Sequence, residues 1–199
     1  MPKLLAPTLT HAKVRLEPTA LSHLDGLKAA CADGDLNALW YTAVPSPDTV
    51  EAEIKRRLAL YDAGSMVPLT IIQTTDGAEK IIGMTTYMNV EHNTTYTRVE
   101  IGSTWYAQSA QRNGINTIVK RMMLAHAFEE WRVIAVEFRT HRFNQQSRAA
   151  IERLGAQLDG MLRAHFIMPN GTMRDTAVYS ISAHEWPTVR THLDFKISR

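Results

Sequence analysis

An α+β fold around a mixed, largely antiparallel sheet is predicted by three features. Strand and helix periodicities alternate along the chain, Asp76-Gly77 and Asn170-Gly171 read as hairpin turns, and a strand-loop-helix unit sits near the middle. With 199 residues, 45% of them apolar and 8% aromatic, the chain is long enough for one sizeable core, so a single domain over 1–199 is expected.

The elements follow in order. Lys13 to Glu17 alternates as a short strand, and Leu21, Leu24, Leu27 and Cys31 then fall at helical spacing until Asp33-Gly34-Asp35 breaks the run. After Trp40-Tyr41, Ser46 suits an N-cap and Pro47 the first position of a second helix. Val50, Ile54, Leu58 and Tyr61 form its apolar stripe, and Gly64 marks its end. Leu69 to Thr74 and Lys80 to Met88 flank Asp76-Gly77 as an antiparallel hairpin. Arg98 to Trp105 is a further strand, with Val99, Ile101 and Ser103 on one face and Glu100, Gly102 and Thr104 on the other. Ile115 to Trp131 carries a broad apolar stripe and reads as a buried helix. Val133 to Arg139 is a strand, Gln145 to Leu154 a helix ended by Gly155, and Leu162 to Met168 pairs with Asp175 to Ile181 across Asn170-Gly171. Ser182 to Glu185 matches a capping box for a last short helix.

Composition excludes more than it assigns. The net charge of +2 comes from 22 basic and 20 acidic side chains spread along the chain, without the clustered basic face that a nucleic-acid or ribosome-binding factor would need. Met1 to Leu5 has no apolar core of signal-peptide length and no apolar run approaches the ~20 residues of a membrane span, so a cytoplasmic location without membrane contact is expected. A single cysteine, Cys31, rules out an intrachain disulfide, and the eight scattered histidines show no ligand spacing, so no metal is expected.

The chemistry-bearing segment is Gln111-Arg112-Asn113-Gly114-Ile115-Asn116-Thr117, between a strand and a long helix. A loop opening into a helix presents backbone N–H groups without intrahelical acceptors, and the helix dipole adds partial positive charge. Gly114 lets the backbone approach an anion closely and Arg112 supplies a full charge, so the turn suits a diphosphate. On these residues alone, an ordinary glycine loop is the alternative.

Gln111-x-x-Gly114-x-Asn116 resembles the acetyl-CoA signature of the GNAT superfamily, Gln/Arg-x-x-Gly-x-Gly/Ala, with Asn116 replacing the final small residue. Val99-Glu100-Ile101-Gly102, Ala127 to Glu130, Asn144-x-x-Ser147, Ala150 to Ala156 and Gly171 to Thr176 resemble, in order, further segments of its RimJ/RimL-like branch, covering about 98–181 and more loosely 13–97. The resemblance implies an acetyl-CoA-dependent N-acetyltransferase in which a primary amine attacks the thioester directly. The amine could be a protein or peptide terminus or a small molecule. An acyl-CoA-binding module with little turnover is the alternative.

The same resemblance implies the roles. Gln111, Arg112, Asn113, Gly114, Ile115, Asn116 and Thr117 would hold the diphosphate, and Thr104, Trp105, Tyr106 and Asn144 the pantetheine arm and acyl carbonyl. Ser147 would protonate the leaving thiolate, and Asn144 alone reads equally as an N-cap. Glu100 is the candidate base, with a strand-surface ion pair as its plainer role; His141 and His165 read as surface residues with usable pKa values. Trp40 and Tyr41 would line the acceptor site, with core packing as the alternative for Trp40. A homodimer using the edge of the terminal hairpin is a further expectation.

Overall fold

Residues 4–92 and 97–199 are described by a computed structural model of the protein; the reading of Met1 to Lys3 lies outside them. Strands β1 (Leu9–His11), β2 (Val14–Pro18), β3 (Met66–Thr75), β4 (Ala78–His92), β5 (Thr97–Tyr106), β6 (Ala135–His141), β7 (Gln157–Ile167) and β8 (Met173–Ser182) form one sheet in the order β1-β2-β3-β4-β5-β6-β8-β7. Helices are α1 (Leu24–Ala32), α2 (Val50–Asp62), α3 (Ile115–Ala125), α4 (Gln145–Glu152) and α5 (Trp186–Ile197). The predicted mixed, mostly antiparallel sheet flanked by helices is the observed architecture.

Local chemistry accounts for several boundaries. Asp76 and Gly77 both take left-handed angles, φ 50° and 80°, as a two-residue hairpin turn with the twist of its strands requires. Gly64, at φ 77°, lets the Ser65 N–H reach back to the Leu60 carbonyl and close α2. At the other end of α2, Pro47 to Thr49 form a separate turn and the helix starts at Val50, later than predicted. The Ser46 side chain does not cap it; instead the Thr49 hydroxyl accepts the Ser46 N–H. The last turn of α3, His126–Glu130, is π-helical. There the Tyr87 hydroxyl donates to the Met123 carbonyl, inserting a side chain into the helical ladder.

Two irregularities position the site. First, β5 and β6, the parallel neighbours, pair only over Arg98–Glu100 and Ala135–Glu137; β5 then runs on to Tyr106 and β6 to His141 without pairing to each other. Second, Ser103 adopts φ 47° and the β4–β5 register shifts opposite it, between Met84 and Thr86. This bulge corrects the predicted alternation. Ser103 is exposed, and Thr104 leaves the Glu100 face to contact Lys120 on α3. Glu100, Gly102 and Thr86 share the opposite face, where α2 supplies Arg57.

Gly83 lies across from the bulge, and a Cβ there would sit 2.1 Å from the Trp105 carbonyl oxygen. Backbone cannot yield as a side chain can. Gly83→Ala is therefore expected to cost about 3 kcal/mol, measured as a fall of roughly 6–12 °C in melting temperature; an unchanged Tm would show that the strands separate freely here.

Candidate functional site

The loop before α3 is shaped by two left-handed residues, Arg112 at φ 61° and Gly114 at φ 84°. Gly114 is the N-cap, and its carbonyl accepts the N–H groups of Thr117 and Ile118. The Asn113 side chain takes the N–H of Ile115, while the N–H groups of Arg112, Asn113, Gly114 and Asn116 have no protein acceptor among the described residues. A Cβ on Gly114 would meet no atom within 4 Å, so the space above this turn is open to a ligand. Arg112 is exposed and makes no ion pair among the described residues. Four unpartnered donors, a helix N-terminus and an uncommitted guanidinium fit a diphosphate.

The loop is braced from below. Gln111 Nε2 donates to the Tyr106 carbonyl at 3.2 Å, and the Tyr106 hydroxyl donates to Asn116 Oδ1 at 3.1 Å. Asn116 thus turns its amide oxygen toward the strand, leaving its backbone N–H outward. Gln146 on α4 reaches Gln111 at 3.4 Å, linking the loop to the element that follows β6.

Across from β5, α4 begins with Asn144, whose side-chain oxygen accepts the Ser147 N–H at 3.0 Å. The plain N-cap role is therefore realised, and the Asn144 Nδ2 group stays uncommitted among the described residues. Ser147 is half-buried, and its hydroxyl has no protein partner there. Thr104, Trp105 and Tyr106 form the end of β5 beyond its pairing with β6, with Trp105 buried. These residues and α4 lie beyond the point where β5 and β6 part.

Glu100 stands where the strands part. It is only 6% exposed, which corrects the strand-surface alternative. The ion pair of that alternative is nonetheless formed, with Arg139 Nε 3.6 Å away, and the Glu100 carboxylate also accepts from Asn89 Nδ2 at 2.7 Å. Burial, the largest influence, pushes its pKa up, against the opposing pull of Asn89 and Arg139. Glu137, its partner across the parallel pair, is bound by Arg98 and Arg139.

Trp40 and Tyr41 meet the end of β6. Trp40 is 48% exposed, so it is not core, and its ring lies 5.0 Å from His141 and 6.1 Å from Phe143. His141, expected at the surface, is only 2% exposed, and its pKa is lowered chiefly by burial. The Phe143 N–H donates to its Nδ1 and Nε2 has no partner among the described residues. His165 is exposed on β7, bonded to Thr176. No group of three or more His, Cys, Asp or Glu among the described residues could hold a metal ion, and no helix there is long and apolar enough to cross a membrane.

Sequence reading missed Lys120 and Arg57. Both look like solvated helix positions, yet both are buried under Thr side chains of the central strands. Lys120 lies one turn from Asn116 on the inner stripe of α3, a position whose polarity inside an apolar run was the available signal.

Comparison with known proteins agrees with this geometry. The family model described as an acetyltransferase (GNAT) domain matches residues 13–157. The chain is 34% identical over 89 residues to YdaF of Bacillus subtilis (strain 168), provisionally named a ribosomal N-acetyltransferase. That match covers 45% of this chain and 48% of YdaF, about half of the relative's length. A GCN5-related N-acetyltransferase from Brucella melitensis superposes with a TM-score of 0.82 at 25% identity, over 97% of this chain and 86% of that one. RimJ of Mycobacterium smegmatis, solved in complex with CoA-disulfide, has a TM-score of 0.79 at 22% identity, over 98% and 96% of the two chains, a likeness of fold.

The buried Glu100 carboxyl leads to a pH test. A carboxyl whose pKa folding raises favours the native state below its unfolded value, and that contribution is lost as pH rises through the folded value. Glu100→Gln should therefore melt higher than the wild type at about pH 8, and the gap should close near pH 4. A wild type that is the more stable protein at pH 8 would mean that Arg139 and Asn89 outweigh burial.

Proposed function

This chain belongs to the GNAT acetyltransferase family, and we propose that it moves an acetyl group from acetyl-CoA to a primary amine by direct attack in a ternary complex. The observation that carries this reading is the parting of β5 from β6 directly beside a helix N-terminus with unpartnered N–H groups. One end accommodates a diphosphate; the other offers strand backbone to an acyl-pantetheine arm.

When bound, acetyl-CoA supplies the activated thioester. Residues Gln111 to Thr117 hold the diphosphate, with Arg112 as its charge partner and Gly114 keeping the approach free of side chain. Thr104, Trp105 and Tyr106 direct backbone groups of β5 toward the acyl carbonyl, and the free amide of Asn144 binds the pantetheine arm from the opposite wall. Glu100 accepts the proton that the amine loses as its nitrogen bonds to the carbonyl carbon; its raised pKa makes it a better base than an exposed carboxylate. The carbon–sulfur bond breaks, and the uncommitted Ser147 hydroxyl hands a proton to the departing thiolate as solvent restores one to it. Trp40 and Tyr41, beside His141, line the approach of the amine. The α-amino group of a protein or peptide is the first acceptor class to test, and the outer strand β7 offers an edge for pairing with a second copy.

The test is calorimetric titration with acetyl-CoA, followed by a thiol-release screen over peptides, amino acids, polyamines and aminoglycosides. Micromolar binding with thiol release for one amine class is expected. Binding without release from any class would favour a binding module, and no binding would overturn the assignment. Ser147→Ala should keep the affinity while lowering kcat about tenfold or more. Gly114→Val, a β-branched residue forced to positive φ in the cradle, should weaken acetyl-CoA binding by at least about tenfold.

A further inference from the structure

The bulge of β5 is gripped from both faces of the sheet by buried cationic side chains. On one face, Arg57 of α2 is 1% exposed; its Nη1 donates to Thr86 Oγ1 at 2.8 Å and to the Ser103 carbonyl at 3.2 Å. Its Nε donates to Glu53 at 2.7 Å, which neutralises it. On the other face, Lys120 of α3 is 5% exposed, and its Nζ donates to Thr104 Oγ1 at 2.7 Å and to Thr85 Oγ1 at 3.0 Å. The two threonine hydroxyls bond each other at 2.8 Å, and Thr104 Oγ1 also lies 3.3 Å from the Gly102 carbonyl. Gly102, Ser103 and Thr104 are therefore held in succession, two through side-chain bonds to their carbonyls and one through its own hydroxyl.

Lys120 has no carboxylate partner among the described residues. Burial alone pushes its pKa down to about 7. Around it, Tyr87 of β4 gives its hydroxyl to Met123, Tyr106 of β5 gives its own to Asn116, and Arg121 is paired with Asp194 of α5. A methionine would fill the same space without the desolvation penalty, so Lys120 costs stability where it stands. A costly buried group that touches the one strained segment of the central strand calls for a role there.

We infer that Lys120, together with Arg57, is a positioning residue for the acyl group: the pair holds the Ser103 bulge and, with it, the register of the β5 backbone where the strand borders the cleft. This rests on the acetyl-CoA reading above. Without the clamp, the bulge is free to open, and the backbone groups beyond it lose their register.

The test is Lys120→Met, in which stability and binding should move in opposite directions. The melting temperature at neutral pH should rise by several degrees, while the KM for acetyl-CoA increases about tenfold and the KM for the amine stays unchanged. A merely structural lysine would move stability alone, so an unchanged KM for acetyl-CoA overturns the inference. Amide hydrogen exchange gives a readout that needs no ligand. The Thr104 and Trp105 amides should exchange at least about tenfold faster in the variant despite its higher melting temperature. Equal exchange would overturn the clamp even if the wild type bound acetyl-CoA, whereas faster exchange in a protein that binds no acetyl-CoA would keep the clamp and remove only the functional reading.

Discussion

Pairing between β5 and β6 stops at Glu100 and Glu137, and each strand is then kept in the sheet by its other neighbour alone, β5 by β4 and β6 by β8. A sheet normally consumes its backbone hydrogen bonds in ladders, and unpaired backbone inside a fold is costly unless something else pairs with it. Here the exception lies between two central strands, not at the rim. The loop before α3, the N-terminus of α4, Glu100 and the aromatic residues at the end of β6 all take their places around that exception. A regular β5 would close the gap and leave the helix N-terminus facing a complete sheet.

Polar groups are buried on both faces of the β5 segment that borders the gap. Arg57 finds a carboxylate in Glu53, so its burial is offset by an ion pair. Among the described residues Lys120 finds only the Thr85 and Thr104 hydroxyls, and burial holds its pKa down. The asymmetry fits the two sides: α2 carries its own acid one turn away, whereas the inner stripe of α3 is apolar around Lys120. Glu100 repeats the pattern on the α2 face, a buried acid with a neutral donor at 2.7 Å and a cation only at 3.6 Å. Charges held short of full compensation are found where β5 departs from regularity, which fits a functional strain more than a stability device.

What could be read in the sequence was mostly local. Asp76-Gly77, Gly64 and Gly114 announce backbone angles that other residues avoid, and the structure uses each glycine at positive φ. The order of strands and helices and the loop before α3 were legible for the same reason. The bulge was not, because Ser103 at φ 47° has no sequence mark and only the register against β4 produces it. That one residue moved Thr104 to the face opposite its expected one. The burial of Arg57 and His141 was illegible for a second reason: it depends on what packs over them from distant segments, and a polar side chain on a helix or strand end reads by default as solvated, whereas Lys120 at least interrupted an apolar run. Trp40 misleads in the other direction, being large and apolar yet half exposed on the rim.

The buried histidine also bears on which group takes the proton. Because the Phe143 N–H donates to His141 Nδ1, the neutral ring carries its hydrogen on Nε2 and has no free lone pair to offer. Its lowered pKa keeps it in that neutral form near pH 7, so at Nε2 it is a donor held between Trp40 and Phe143. A donor can orient an acceptor molecule through an oxygen atom but cannot relieve an attacking amine of its proton. Of the ionisable groups around the parting strands, Glu137 is engaged by two arginines and Lys120 is occupied on the far face. Among the described residues there, Glu100 combines burial and a raised proton affinity at the last rung before the strands divide, which supports it as the proposed base.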